Sequence, residues 1–278
     1  MKNLILISIF LSLILSSKVI FAGTIDEINK RGALRVCALA DRLPFSSRDT
    51  SAKGFQIELA EEIAKDLGVS LEITWLRYRF HARKAGCDMM MEAVSKKDDD
   101  ENKRDIEGAR PLTRASDSEK RKFPPTASIP IIMLETYLVG PKELVDGNNS
   151  LKSIKRMNIG VMRGTWAHML MQKAKIKHRT KFVTESELIQ GVADGEVDAA
   201  FISSPHYWWF LKNNPSISLS AVRDFNFTRD VSLNVGVLLR GADQLTVDKI
   251  NNVLSDMLDR NVIQNIYSNY GIEYVAPK

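Results

Sequence analysis

Cysteine, histidine and long apolar runs are scarce in this 278-residue chain, and each shortage closes off a class of function. The four histidines, His81, His168, His178 and His206, are scattered, and neither they nor the two cysteines stand at metal-ligand spacing. No resident metal or other cofactor is expected. Ser203-Ser204 lacks the Gly-x-Ser-x-Gly elbow that exposes a nucleophile, and no paired carboxylates occupy recognisable positions, so the chain is not read as an enzyme. The acidic run Asp98 to Glu101 is not a calcium loop. Lys103 stands where such a loop needs its tight-turn glycine, and no Glu closes it. Dense basic stripes are absent too, which argues against a nucleic-acid partner.

The one long apolar run, Leu4 to Leu15, is about 12 residues, too short for the roughly 20 that span a bilayer. Lys2 precedes it, Ser16-Ser17 follow it, and Phe21-Ala22 lead into Gly23. That layout predicts a secretory signal peptide over 1–22, cleaved after Ala22, and a periplasmic location without a lipid anchor. Losing Lys2 and Lys18 takes the net charge from +5 to about +3. In an oxidising compartment the two cysteines, Cys37 and Cys87, are read as a disulfide, with two buried free thiols as the alternative.

Periodicity supplies the organisation. Ala33 to Ala40 reads as a strand; Phe55, Leu59, Ile63 and Leu67 repeat at helical spacing before Gly68; Val69, Leu71, Ile73 and Trp75 alternate as a second strand. Strand, helix, strand predicts a βαβ unit and a parallel sheet. Lys96 to Arg110 has almost nothing apolar to bury and reads as part of a charged, solvated insertion near 95–117. Ile131 to Val139 reads as a strand leading out of this first lobe. A second α/β cycle follows, with a strand at Asn158 to Met162 and a helix opened by Arg163-Gly164-Thr165-Trp166. Thr184 and Glu187 form a capping box, and Val197 to Ile202 is another strand. The chain returns through Leu233 to Leu239 into a long amphipathic helix whose apolar face includes Ile250, Leu254, Met257, Ile263 and Ile266. The run His206-Tyr207-Trp208-Trp209-Phe210 is either core packing at a helix start or an aromatic binding face.

In this order, the motifs resemble the family 3, amino-acid type extracellular solute-binding proteins. The matching segments are Leu34-Arg35-Val36 with Pro44-Phe45-Ser46, Gly54-Phe55 through Leu59-Ala60, Cys87-Asp88-Met89-Met90, Gly160 through Thr165, and Gly191 through Pro205. The resemblance covers nearly the whole mature chain. It implies an α/β, two-lobed type II periplasmic-binding-protein fold, with two parallel-core sheets joined by a double-crossover hinge. Lobe 1 would hold 23–137 and 238–278, and lobe 2 would hold 138–237. It implies a monomer that clamps a small-molecule ligand for an ABC permease. The implied ligand-binding residues are Phe45, Arg121 (nine residues before Pro130, with a plain surface Arg as the alternative), the helix start Gly164-Thr165, and Ser203.

Ser203 departs from the family, whose Asp at that place binds the ligand's ammonium. A Ser brings no charge, so the resemblance disfavours an ordinary amino acid. Arg35-Val36-Cys37-Ala38, Cys87-Asp88-Met89-Met90-Met91 and the Arg-rich segment Trp75 to Arg83 also resemble the MoxJ/XoxJ-like accessory proteins. That subfamily implies a different partner, a periplasmic quinoprotein (methanol) dehydrogenase. A dehydratase-like enzyme on the same fold is the third alternative.

Overall fold

Alternating apolar strands and amphipathic helices must bury two faces of a sheet at once, and this chain does so twice. The computed structural model describes residues 23–94, 124–227 and 230–278. The expected signal peptide, the expected charged insertion and Arg121 lie outside the described residues. In chain order the elements are α1 (Ile25–Arg31), β1 (Ala33–Leu39), α2 (Phe55–Asp66), β2 (Ser70–Leu76), β3 (Met89–Val94), β4 (Thr126–Ala127), β5 (Ile132–Leu134) and β6 (Thr136–Gly140). They continue with α3 (Lys142–Val145), β7 (Ile159–Gly160), α4 (Trp166–Lys173), β8 (His178–Arg179), α5 (Glu185–Ala193), β9 (Ala199–Ser203) and α6 (Ser204–Asn213). The last four are β10 (Ser220–Val222), β11 (Leu233–Leu239), α7 (Gln244–Asp259) and α8 (Val262–Asn269).

One sheet has the order β2-β1-β3-β11-β4, with β5 also paired to β11; the other has the order β10-β6-β9-β7-β8. Strands β1, β2 and β3 run parallel, as do β7, β8 and β9, while β6 and β11 enter antiparallel. Each sheet therefore has a parallel core completed by a returning strand, the two-lobed α/β architecture read from the sequence. The first core gathers Leu34, Val36, Leu59, Ile63, Val237, Ile250, Leu254 and Met257. The second lobe packs on both faces of its sheet, with Val139, Leu188, Ile202 and Tyr207 on one and Leu138, Ile159, Phe201 and Phe225 on the other.

Local signals placed several elements closely. Thr184 accepts the Glu187 N–H at 3.1 Å, and the Glu187 carboxylate reaches back to the Val183 N–H at 2.8 Å. Cys37 in mid-β1 is bonded to Cys87 just ahead of β3, with Cα atoms 5.6 Å apart, inside the range a disulfide spans.

Three readings change. The single strand over Ile131 to Val139 is two, β5 and β6, in different sheets. Glu135 between them donates its N–H to Ser204 Oγ at 3.2 Å and accepts the Ser204 N–H at 2.9 Å, so the chain turns over at Glu135. All of β11 pairs within the first sheet from Leu233 onward, ahead of the 237/238 boundary read from the sequence. Its apolar pattern marks a buried strand but says nothing of which sheet buries it. The C-terminal helix is also two. Asn261 adopts the left-handed conformation at φ 57°, which ends α7 and re-aims α8 so that Ile263 and Ile266 still reach the first core.

Candidate functional site

In open α/β sheets, ligands lie outside the carboxyl ends of the parallel strands. Phe45 follows the end of β1, Gly164-Thr165 follow β7, and Ser203 ends β9.

Phe45 is held from behind. The carbonyls of Pro44 and Phe45 accept the N–H groups of Phe55 and Gln56 at 2.9 Å each, so the loop itself caps the start of α2. Gly54, the N-cap, has no side chain, and its N–H donates to the Tyr270 hydroxyl at 2.9 Å. The Phe45 ring packs on Phe55 at 4.9 Å between centroids and meets His206 of the second lobe at 5.2 Å.

In the second lobe, β7 and β9 are adjacent and parallel, with Gly160 paired to Ala200. The turns that follow them therefore emerge from the same edge of the sheet. Thr165 is the N-cap of α4: its Oγ accepts the His168 N–H at 3.3 Å and donates to the Met162 carbonyl at 2.7 Å. Gly164, at φ 78°, donates its N–H to His168 Nδ1 at 3.2 Å. This helix start turns its side-chain hydrogen bonds inward.

Ser203 carries an arrangement the sequence reading missed. Its hydroxyl donates to Glu185 Oε2 at 2.5 Å and its N–H donates to Glu185 Oε1 at 3.4 Å. His206 Nδ1 lies 3.0 Å from Ser203 Oγ and makes an ion-pair contact with Glu185 Oε2. With the Ser203 proton committed to the carboxylate, Nδ1 faces two oxygens and carries the hydrogen itself. So a carboxylate does stand at Ser203, supplied by the first turn of α5. The signal was the Glu185 position, one residue past the Thr184 cap, but only the pairing of β9 beside α5 brings it there.

Burial pushes the Glu185 carboxyl up, but the His206 charge and the two Ser203 hydrogen bonds outweigh it and hold the group below its ordinary value. A lowered folded pKa contributes stability that is full above the unfolded value and is lost as pH falls through the folded one. The slope of unfolding free energy against pH below about 4.5 should therefore flatten in Glu185→Gln. Urea unfolding at stepped acid pH measures it, and an unchanged slope would refute the pairing.

At the hinge, Tyr137 is fully buried and donates to Glu135 Oε2 at 2.8 Å, while the Arg223 guanidinium lies 5.4 Å over its ring. Burial, with the Glu135 bond added, pushes the Tyr137 phenol far up. Arg223 also pairs with Glu273 at 2.9 Å, tying the second lobe to the C-terminal tail. Along α6, Tyr207 and Phe210 pack in the second lobe, whereas Trp209 meets Tyr270 of the first at 5.4 Å, tilted by 40°. The aromatic run is thus core on one face and lobe contact on the other.

Among the described residues, no group of three or more His, Cys, Asp or Glu side chains could hold a metal ion. A separate open cavity of about 400 Å³ on the second lobe, lined by Asp146, Asn149, Val222 and Arg223, brings none of the sequence-predicted residues together.

No family model matches the chain. A curated protein described as a probable histidine-binding protein, from Neisseria gonorrhoeae, is 22% identical over 245 residues, covering 85% of this chain and 82% of that one. An ancestral cationic amino acid solute-binding protein superposes with a TM-score of 0.68 at 23% identity, over 89% of this chain and 99% of that one. The periplasmic binding protein XoxJ from Methylobacterium extorquens AM1 gives 0.64 at 20% identity, over 88% and 100%. The unliganded, open L-cystine solute receptor of Neisseria gonorrhoeae gives 0.64 at 15% identity, over 91% and 99%. The chain has the two-lobed fold of the solute-binding proteins that its sequence motifs resemble.

Proposed function

We propose that this chain is an exported, periplasmic solute-binding protein that clamps a small molecule between its lobes without changing it chemically. The observation that carries this reading is the meeting of Phe45 and His206 from opposite lobes, each just past the carboxyl end of a parallel-core strand. Gly164 and Thr165 stand on the same edge as Ser203, where a helix start favours an anionic group. An ABC permease is the partner that fits such a carrier.

Ordinary α-amino acids are expected to bind weakly. Ser203 brings no charge, and the Glu185 carboxylate beside it is already paired with His206. A missing charge-assisted contact costs about 1.5–3 kcal/mol, roughly ten- to a hundredfold in affinity. Calorimetry with the twenty amino acids at neutral pH should show nothing tighter than about 1 µM. A solute that does bind should shrink the radius of gyration in solution scattering as the lobes close. Turnover of a bound solute, or binding with no closure, would overturn the clamp.

A second reading is an accessory role to a periplasmic quinoprotein dehydrogenase. It draws on the fold shared with XoxJ and on the segment Arg77 to Arg83, where exposed Tyr78 and Phe80 stack at 5.5 Å and the Arg77 guanidinium lies 5.4 Å over Tyr78. Such an exposed aromatic pair suits a protein contact. Co-purification with the dehydrogenase, lost on Phe80→Ala, would favour it.

A further inference from the structure

We infer that His206 is an internal competitor for a cation subsite in the cleft: its imidazolium takes, against Glu185 and Ser203, the place of a ligand's ammonium or guanidinium group. This rests on the clamp reading and adds a ligand class to it, a small molecule with a cationic nitrogen.

Three donors converge on the Glu185 carboxylate: the Ser203 hydroxyl at 2.5 Å, the Ser203 N–H at 3.4 Å, and His206 Nδ1. The two from Ser203 belong to the turn between β9 and α6. They hold the carboxylate in place whichever cation it meets. The third belongs to a side chain that can leave.

Its position distinguishes this contact from a structural ion pair. The His206 ring lies between the wall that carries the carboxylate and the Phe45 ring, tilted 42° to that ring. This is the gap a clamped solute would fill. An aromatic face on one side and a carboxylate on the other also suit any planar or compact cation. His206 is 7% exposed and meets both, the Phe45 ring and the Glu185 carboxylate.

Among the described residues, the charged and titratable groups facing His206 are few. Glu185 comes from α5, and Ser203 from the preceding turn. From the first lobe come Phe45 and, 5.8 Å over the same ring, the guanidinium of Arg42. Behind them, across Phe55, stand Tyr270 and Glu58, joined by a 2.6 Å hydrogen bond. Among the described residues, one anion, Glu185, faces the imidazole directly. An incoming cation therefore gains that anion only when the imidazole loses its proton or swings out, and imidazole is the side chain that changes charge between pH 5 and 8.

The test uses the mature full-length protein with L-arginine, L-lysine and putrescine as probes, by calorimetry at about pH 5.5 and about pH 8. Affinity for at least one probe should rise tenfold or more across that interval. His206→Gln should bind that probe at the lower pH as tightly as the original protein does at the higher one, and Glu185→Gln should lose it at both. A pH slope retained in His206→Gln would overturn the inference. So would failure of every probe to bind His206→Gln; in that case, closure on some uncharged solute would leave the clamp reading intact.

Discussion

Replacing both Cys37 and Cys87 with alanine lowers the stability of the mature protein by about 4 kcal/mol on the chain-entropy account, because the bridge closes a 50-residue loop. For a chain of this size that is roughly 10 °C in melting temperature. Both cysteines are 1% exposed and pack with Leu76, Ala82 and Met90, so the two truncations also leave small cavities. The loss falls on the first lobe, since the bond ties β1 to the residues just ahead of β3. Paired thermal scans of the oxidised protein and the double variant measure it. Thiol labelling of denatured, unreduced protein should find no free cysteine. A drop below about 1 kcal/mol, or two labelled thiols, would refute the assignment.

Gly54→Ala should cost about 3 kcal/mol and disable the cleft as well. The backbone there has φ 88°, a conformation in which an L side chain is strained. An added Cβ would stand 2.4 Å from the Phe45 carbonyl oxygen and 2.6 Å from the Ser46 nitrogen. Both obstacles are backbone, so no rotamer change relieves them. The Phe45 loop must move, taking with it the two carbonyls that cap α2 and the ring that meets His206. Gly68→Ala is the control: its φ is 72°, but an added Cβ there meets nothing within 4 Å, so only the conformational cost of about 1 kcal/mol remains. Urea unfolding of both variants, read beside solute binding, separates strain from collision. Equal losses in the two would show that the close approach at Phe45 plays no part.

Much of the fold was legible without coordinates, because it is written in short-range chemistry. The β11 span Leu233–Leu239, the helix from Phe55 and the Thr184 cap with Glu187 each follow from periodicity or from a cap within a few residues. The disulfide could be read because two cysteines in a chain expected to be exported leave a single pairing. Gly54-Phe55 was visible as a motif, but the reason for its glycine was not: the clash partner, the Phe45 carbonyl, is nine residues away across a loop.

Where sheets exchange strands, local pattern falls silent. Ile131 to Val139 is apolar throughout, and its division at Glu135 is set by reciprocal hydrogen bonds with Ser204, 69 residues on. The same holds at the candidate site. The sequence alone determined that Ser203 carries no charge, and its family resemblance implied a cleft wall at Phe45. Only the tertiary structure decided that the charge is present after all, brought by Glu185 from 18 residues upstream and balanced by His206. A periodicity or a cap depends on neighbours along the chain, whereas a carboxylate aimed at a serine depends on how a helix start packs beside a strand end, and that placement is fixed by the burial of both cores.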